Sequence, residues 1–335
     1  MKYPTFKMNG AIGVTAPSSG VETELHGLLK ESQARLERDG FSVVMGETVW
    51  TQEKAKSASA QKRATEFQMM MEDKEIDIII PPWGGELLIE ILDKLDFSKM
   101  PPKWVLGYSD LSALLLAITF KTGIATAQGP SLVELRGASS DKTTAMWKEV
   151  LATKQGDSVI QYASEKHQKE WQFDNPTPCI FHLTEKTQWR TITGKDARFE
   201  GRLLGGCVDV IRHLVGTPFG DVDEYLEQFT KGEPIIWHFE NCELNNADLR
   251  RSLVQMRYAG WFDHCAGIVF GRSINKEVND YQAWDVYRDL ADELNVPIVY
   301  DIDCGHLPPQ MTLINGAFGL VVVSDDEKSV TQSFI

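Results

Sequence analysis

The sequence predicts an α/β protein in which an open, mostly parallel sheet is followed by a β-rich domain with a few helices. Over residues 1–155, apolar runs without polar–apolar alternation take turns with helical segments, as in a parallel sheet covered on both faces. Beyond this region the strand-like pieces are shorter and follow one another more closely. We therefore expect an N-terminal α/β domain over 1–155, a linker over 156–175 and a C-terminal β-rich domain over 176–335.

The first domain contains four predicted strand–helix units. Residues 11–19 form an apolar strand that ends in turn residues, and residues 21–39 have the periodicity of a helix that Gly40 stops. The later units pair a strand at 41–46 with a helix at 55–71, a strand at 76–86 with a helix at 87–96, and a strand at 103–109 with a helix at 110–123. The third strand breaks at a proline pair and a glycine pair, which predicts a loop there.

The second domain is predicted to contain strands of mixed length, a few helices and a closing hairpin. Its predicted strands cover residues 179–183, 188–194, 197–206, 232–241, 266–273 and 297–306. Helices are predicted at 207–214 and 247–258, and residues 311–334 have the pattern of a closing hairpin system.

Composition favours a protein that acts on small molecules or peptides. The formal charge of −14 argues against a nucleic-acid partner, because phosphate-binding proteins concentrate Lys and Arg. No apolar run reaches the roughly 18 residues of a membrane-spanning helix, and the N-terminal residues lack the apolar stretch of a signal peptide. The five cysteines are scattered and form no CxxC pair, which indicates reduced thiols and a cytoplasmic location.

Three loops at the predicted carboxyl ends of strands carry the candidate chemistry, because ligands gather at that edge of an open α/β sheet. They cover residues 16–20, 81–86 and 107–110. Ser109 stands before a helix, where backbone amides and the helix dipole favour a developing negative charge. It is either a nucleophile or an ordinary helix cap. Local sequence favours the cap, since capping serines are common and the G-x-S-x-G motif is missing.

A nucleophilic serine needs a base and an acid that orients the base. His306 follows a strand and a glycine and precedes two prolines, whereas the other six histidines are more typical of structural positions. Glu240 ends a predicted strand and Glu243 comes three residues later, so either could orient the imidazole. A metal site within residues 301–306 would mix hard and soft ligands as no standard site does, and we predict none.

Motifs spread over nearly the whole chain carry a family resemblance. They are VTAPSS, WGGE, GYSDLSALL, TAQGP, GRLLGG, VGTPFGD, FENCE, DLRRSL, GIVFGR and DIDCGHLPPQMTLINGA. Their order and spacing resemble the LD-carboxypeptidase family of serine peptidases, and its microcin C immunity branch in particular. This resemblance implies a Rossmann-like N-terminal domain that carries the nucleophile Ser109. It also implies a C-terminal domain that carries the base His306 and the acid Glu240, with Glu240 preferred to Glu243 because it ends a strand.

The resemblance also implies which groups hold the substrate. Backbone amides of Gly84, Gly85 and Asp110 would bind the oxyanion. Peptidoglycan-recycling members carry an arginine before the glycine pair and an aromatic residue after it, where this chain has Trp83 and Glu86. That departure weakens the case for a murein peptide as the substrate. The candidate substrate-binding residues are Trp83, Glu86, Glu243, Trp171 and Trp189.

Two further positions leave alternatives open. Trp171 and Trp189 either stack on a nucleobase, as paired tryptophans do in the immunity branch, or pack in the core of the β-rich domain. Cys207 follows GRLLGG where an asparagine is usual in the family, which leaves the role of that side chain in doubt.

The sequence thus predicts a cytoplasmic serine hydrolase that cleaves an amide beside a free carboxylate, or a peptide-nucleotide or aminoacyl-sulfamoyl adenylate. The alternatives are a murein tetrapeptide LD-carboxypeptidase and a catalytically silent binding protein. No cofactor is expected, because the chain lacks G-x-G-x-x-G after its first strand. The expected partner is a small peptide or peptide-nucleotide, without nucleic acid or membrane, and the resemblance implies a homodimer.

Overall fold

The structure is a computed structural model that describes residues 1–170, 176–273 and 276–335. Its strands are β1 (Ala11–Val14), β2 (Ser42–Met45), β3 (Ile78–Ile79), β4 (Trp104–Gly107), β5 (Thr126–Gln128), β6 (Ser158–Tyr162), β7 (Lys166–His167), β8 (Glu185–Lys186), β9 (Arg190–Thr191), β10 (Ala197–Cys207), β11 (Ile235–Glu240), β12 (Cys265–Gly271), β13 (Ile298–Ile302), β14 (Leu313–Asn315), β15 (Phe318–Val323) and β16 (Lys328–Ser333). Its α-helices are α1 (His26–Arg38), α2 (Ala60–Glu72), α3 (Leu111–Thr122), α4 (Lys142–Ala145), α5 (Trp147–Ala152), α6 (Val208–Ile211), α7 (Val222–Tyr225), α8 (Asn246–Tyr258) and α9 (Ala283–Leu294).

The first sheet has the strand order β14-β5-β4-β3-β1-β2. Strands β1 to β5 are parallel to their neighbours, as the strand–helix alternation predicted. The edge strand β14 is antiparallel to β5 and comes from the C-terminal part of the chain. Two buried apolar clusters cover the faces of this sheet, one including α1 and the other including α2 and α3. The prediction of an open, mostly parallel sheet is confirmed.

The second sheet has the strand order β6-β16-β15-β10-β11-β12-β13-β9. Its central strands β10 to β13 are parallel, and the outer strands are antiparallel to their neighbours. The predicted β-rich character is confirmed, and β15 with β16 forms the predicted closing hairpin. Strand β6 falls inside the range 156–175 that was predicted as a linker, and it pairs with β16.

Two predicted helices differ from the observed elements. The helix predicted over 55–71 begins at Ala60, because Ser59 caps it by accepting a hydrogen bond from the backbone N–H of Lys62. Ala55 has a left-handed backbone with φ of 62°, which no helix can include. The segment predicted as a helix over 87–96 is a 3₁₀ helix over Leu88–Lys94.

Helix α3 packs between the two sheets, in contact with both β5 and β10. It is apolar on almost every side, and of its twelve residues only Lys121 is not buried; an all-round apolar helix is typical of an interior position. The end of β10 approaches it closely, since a Cβ on Gly206 would lie 2.5 Å from Ser112 Cβ. The Ser112 hydroxyl accepts a hydrogen bond from the backbone N–H of Cys207 at 3.0 Å. The start of α3 is therefore fixed relative to both sheets.

A buried ion pair anchors the loop after β13. Asp303 is fully buried, and its Oδ1 accepts hydrogen bonds from Arg272 Nη2 at 2.7 Å and from the Ser164 hydroxyl at 2.6 Å. Its Oδ2 accepts from the Ser164 backbone N–H and from Trp189 Nε1, both at 2.9 Å. Every strong acceptor site of the carboxylate is therefore used within the protein.

No helix in the described parts of the chain is both long and apolar enough to cross a membrane.

Removing this carboxylate should destabilise the fold strongly. We expect Asp303→Ala to lower the free energy of unfolding by about 3–5 kcal/mol, because the Arg272 guanidinium is left buried without its counter-charge. Urea denaturation followed by tryptophan fluorescence measures the loss. Asp325→Ala, at an exposed position, is the matched control and should change the free energy by less than about 0.5 kcal/mol. Equal stability of the two variants would contradict the assignment.

Candidate active site

Ser109 lies in a sharp turn between β4 and α3. Its backbone is left-handed, with φ of 64°, a conformation that a residue with a side chain adopts only at a cost. The N-cap of α3 is Asp110, and no side chain caps the helix there. The Ser109 hydroxyl instead lies 3.1 Å from His306 Nε2. The sequence left open whether Ser109 is a helix cap or a nucleophile, and in the structure its side chain does not cap α3.

The carboxylate of Asp110 ties three loops together beneath this turn. Its Oδ2 accepts hydrogen bonds from the Ser18 hydroxyl at 2.5 Å and from the Leu88 backbone N–H at 2.8 Å. Burial raises the pKa of Asp110, and these two donors oppose that effect. The loops after β1, β3 and β4 therefore meet at the carboxyl edge of the first sheet, as the sequence predicted.

The glycine pair lies directly against the serine. A Cβ on Gly84 would stand 2.6 Å from Ser109 Cβ and 3.0 Å from the backbone nitrogen of Asp110. Gly85 has φ of 143° and approaches Ser18 and Ser19 equally closely, so neither position has room for a side chain. Within the described residues, no group accepts a hydrogen bond from the backbone N–H of Gly84, Gly85 or Asp110, the three predicted oxyanion donors. These amides are free to bind an oxygen atom beside Ser109.

His306 connects the serine to a buried carboxylate from the second sheet. Its Nδ1 lies 2.7 Å from Glu240 Oε2, and Glu240 is fully buried at the end of β11. Burial alone would lower the pKa of His306, but the adjacent Glu240 carboxylate and, after it, Cys242 outweigh burial and raise that pKa well above its usual value. Glu243 is exposed, and its backbone N–H binds Asp209 instead. The structure therefore brings together Ser109, His306 and Glu240 and leaves Glu243 outside.

A second buried carboxylate, which the sequence reasoning missed, supports the same imidazole. The Tyr108 ring packs edge-on against His306 with 5.0 Å between ring centroids, and its hydroxyl donates to Glu134 Oε1 at 2.9 Å. Glu134 Oε2 accepts from the Ser131 backbone N–H at 2.8 Å. Burial raises the pKa of Glu134. The spacing S-x-x-E at 131–134 is a capping-box signature, so the pairing of Ser131 with Glu134 could have been predicted from sequence.

A cavity of about 850 Å³ opens onto the serine and the imidazole. Trp83 lines it, held in place by a hydrogen bond from its Nε1 to the Gly20 carbonyl at 3.0 Å. Arg136 is the one lining residue with a permanent positive charge among those that the structure describes, and its Nη1 donates a hydrogen bond to the Val133 carbonyl. The charges of Glu31 and Glu134 act on its guanidinium. The other lining residues are Ser19, Gly20, Glu22, Leu25, Leu28, Gln52, Gly84, Gly85, Tyr108, Ser109, Ser131, Val133, Glu134, Gln168, Ile180, Phe181, Cys242 and His306.

The remaining predicted substrate-binding residues lie in different places. Glu86 and Glu243 are both exposed. The pKa of Glu86 is raised, first by partial burial and then by the negative charge of Glu243, which places the two carboxylates near each other. Neither lines the cavity. Trp189 is 3 % exposed and packs in the core of the second sheet, where its Nε1 binds Asp303, so the core alternative holds for this residue. Trp171 lies outside the described residues.

Comparison with known proteins places this geometry in a family. The family model for the LD-carboxypeptidase N-terminal domain matches residues 12–129, and the model for the LD-carboxypeptidase C-terminal domain matches residues 200–320. A putative carboxypeptidase of Vibrio cholerae is 25 % identical, with 92 % of this chain and 91 % of that protein covered. The microcin C7 self-immunity protein MccF of Escherichia coli is 24 % identical (90 % and 87 % covered), and a probable murein peptide carboxypeptidase of Bacillus subtilis is 25 % identical (91 % and 86 %).

Solved structures show the same fold. Wild-type MccF superposes with a TM-score of 0.83 at 22 % identity, covering 99 % of this chain and 98 % of that one. An MccF-like protein from Bacillus anthracis superposes with a TM-score of 0.82 at 22 % identity, covering 99 % of each. The two domain matches together span more than half of the 335 residues. The chain therefore belongs to the LD-carboxypeptidase family.

Proposed function

We propose that the protein is a serine hydrolase of carboxypeptidase type with Ser109 as nucleophile, His306 as base and Glu240 as the orienting acid. One observation carries the proposal. A relay of two hydrogen bonds runs from a fully buried carboxylate through an imidazole to a serine in a strained turn, and this serine lines a cavity. Nucleophile, base and orienting group within mutual hydrogen-bond reach are the arrangement that acyl transfer requires.

The proposed reaction begins with transfer of the Ser109 hydroxyl proton to His306 Nε2 as Oγ attacks the scissile carbonyl. The Nδ1–H of His306 donates to Glu240, which fixes the tautomer and stabilises the imidazolium that forms. The oxyanion of the tetrahedral intermediate accepts hydrogen bonds from the backbone N–H groups of Gly85 and Asp110. His306 then protonates the leaving amine, and water releases the acyl group by the same steps in reverse order.

The proposed substrate carries a free carboxylate beside the scissile amide or is a peptide-nucleotide or aminoacyl-sulfamoyl adenylate, as in detoxification of a microcin C-type antibiotic. Two observations support this class. Among the described residues that line the cavity, Arg136 is the one with a permanent positive charge, which suits an anionic group on the substrate. The related MccF has been solved with aspartyl sulfamoyl adenosine and with glutamyl sulfamoyl guanosine.

A murein peptide is the second candidate substrate. It is favoured by the relative named as a probable murein peptide carboxypeptidase, which is as similar to this chain as MccF is. Trp83 and Glu86 at the glycine pair argue against it, since an arginine and an aromatic residue stand there in peptidoglycan-recycling members.

Loss of the nucleophile should abolish turnover without unfolding the protein. We expect Ser109→Ala to lower kcat by about 10³-fold or more, because proton transfer and covalent catalysis are both lost. Mass spectrometry of reaction mixtures with aspartyl sulfamoyl adenosine and with a murein tetrapeptide measures the rate and separates the two candidate substrates. Full activity of Ser109→Ala would remove the serine from the mechanism. Binding without cleavage by the wild-type protein would instead favour a silent binding protein.

Removal of the orienting carboxylate should change both the rate and its pH dependence. Only the neutral imidazole acts as a base, so wild-type activity is lost as the pH falls through the raised pKa of His306. Glu240→Gln removes the charge that raises this pKa. The acidic limb of kcat/KM should therefore move to lower pH while kcat falls by about 10³- to 10⁴-fold. An acidic limb at unchanged pH would contradict the relay, and Glu243→Gln is the control that should leave both quantities unchanged.

The glycine loop can be tested by adding one methyl group. Gly84→Ala places a Cβ where it would lie 2.6 Å from Ser109 Cβ, so the loop or the serine must shift. We expect kcat/KM to fall by about 10²-fold, since moving the serine by about 1 Å away from its position spoils the geometry of its attack on the substrate. Gly27→Ala is the matched control, because no atom lies within 4 Å of the added Cβ, and it should retain full activity. Equal activities of the two variants would show that the loop has no part in catalysis.

A further inference from the structure

A thiol lies beside the proposed base and its orienting carboxylate. Cys207 ends β10 and Glu240 ends β11, and the two residues are direct partners in the parallel pairing of these strands. Cys207 Sγ, a carboxylate oxygen of Glu240 and a ring nitrogen of His306 all lie within 4.8 Å of one another. Cys207 is 2 % exposed and Glu240 is fully buried, so these two donors are enclosed by protein, whereas His306 also lines the cavity.

The carboxylate in this cluster has an unused oxygen. Glu240 Oε2 binds His306, but Oε1 accepts no hydrogen bond from any N–H or O–H group of the described residues, although it is buried. A buried carboxylate oxygen without a donor is unfavourable, and the neighbouring Cys207 thiol, a weak donor, donates to Asp209 Oδ2 at 3.4 Å. Glu240 Oε1 is therefore available to bind a cationic ligand.

The three donor types together are those that bind zinc in proteins. Cysteine sulfur, histidine nitrogen and carboxylate oxygen each coordinate Zn²⁺ at about 2.0–2.3 Å, commonly in tetrahedral sites. Cys242 lies on the cavity side near the same imidazole and could supply the fourth donor, as could a water molecule from the cavity. We propose that Cys207, Glu240 and His306 form an inhibitory binding site for a thiophilic divalent cation such as Zn²⁺.

The chemistry of the bound imidazole explains the inhibition. When the ion binds neutral His306, it takes the place of the proton on Nδ1, which moves to Nε2 by way of solvent, and the thiol proton of Cys207 is released to solvent. A neutral imidazole that coordinates through Nδ1 keeps its remaining proton on Nε2, so Nε2 has no lone pair to accept the Ser109 proton. The base is blocked while the cavity stays open. The inference rests on the proposed function and predicts that zinc lowers kcat and leaves KM unchanged.

The experiment uses the full chain, first dialysed against EDTA. Zn²⁺ is titrated during hydrolysis of whichever substrate the wild-type protein cleaves. We expect at least a tenfold fall in kcat at saturating zinc, an unchanged KM and full recovery with EDTA. In Cys207→Ala, the zinc concentration for half inhibition should rise at least tenfold, measured against the metal-free rate of that variant. Cys265→Ala, which changes a cysteine outside the cluster, should keep wild-type zinc sensitivity.

Binding can be followed without turnover. Cd²⁺ should produce a thiolate-to-metal charge-transfer absorption in the wild type and in Ser109→Ala, and Cys207→Ala should lose most of it. This readout remains valid if the protein proves not to be a hydrolase. The proposal is overturned if Cys207→Ala keeps the absorption or the zinc sensitivity. It is also overturned if zinc raises KM, which would place the ion in the substrate cavity, or if EDTA alone lowers activity, which would indicate a required ion.

Discussion

The hydrogen bond between Ser109 and His306 is the contact on which the site depends, because it joins the two sheets. Ser109 belongs to the loop after β4 of the first sheet, whereas His306 follows β13 of the second. The distance between the Ser109 hydroxyl and His306 Nε2 therefore depends on the contacts that hold the two sheets in place relative to each other. Helix α3 does most of this, since it begins beside Ser109 and packs against β5 and β10. The geometry of the proposed triad is thus a consequence of packing between the sheets.

The left-handed turn at Ser109 is maintained by contacts from distant parts of the chain. A residue with a side chain adopts this conformation only where its surroundings demand it. Here Asp110 binds loops from two other strands, and the glycine at 84 permits the backbone to come against the serine. The same close approach brings the glycine loop beside Ser109 and the backbone nitrogen of Asp110. The strain and the proposed oxyanion site therefore have one structural origin.

Much of this arrangement could be predicted from the sequence, and the exceptions have physical reasons. Strand-end loops and the family resemblance identified Ser109, Glu240 and His306. Local sequence could not exclude the helix cap, because the turn at Ser109 is imposed by residues far away in the chain. Likewise, Glu240 ends β11 and Glu243 comes three residues later, and only the tertiary structure shows that Glu240 is the one buried beside His306. Trp189 has a strand-like sequence context, and its polar edge is satisfied by Asp303, a partner that no local pattern shows.

The central claim is that Ser109 becomes acylated during turnover. Rapid acid quenching of the wild-type protein during steady-state hydrolysis, followed by peptide mapping with mass spectrometry, tests this directly. We expect an adduct with the mass of the acyl portion of the substrate on the peptide that contains Ser109, and no such adduct in His306→Ala. Turnover with an adduct on another residue, or with the acyl group never found on Ser109, would contradict the account.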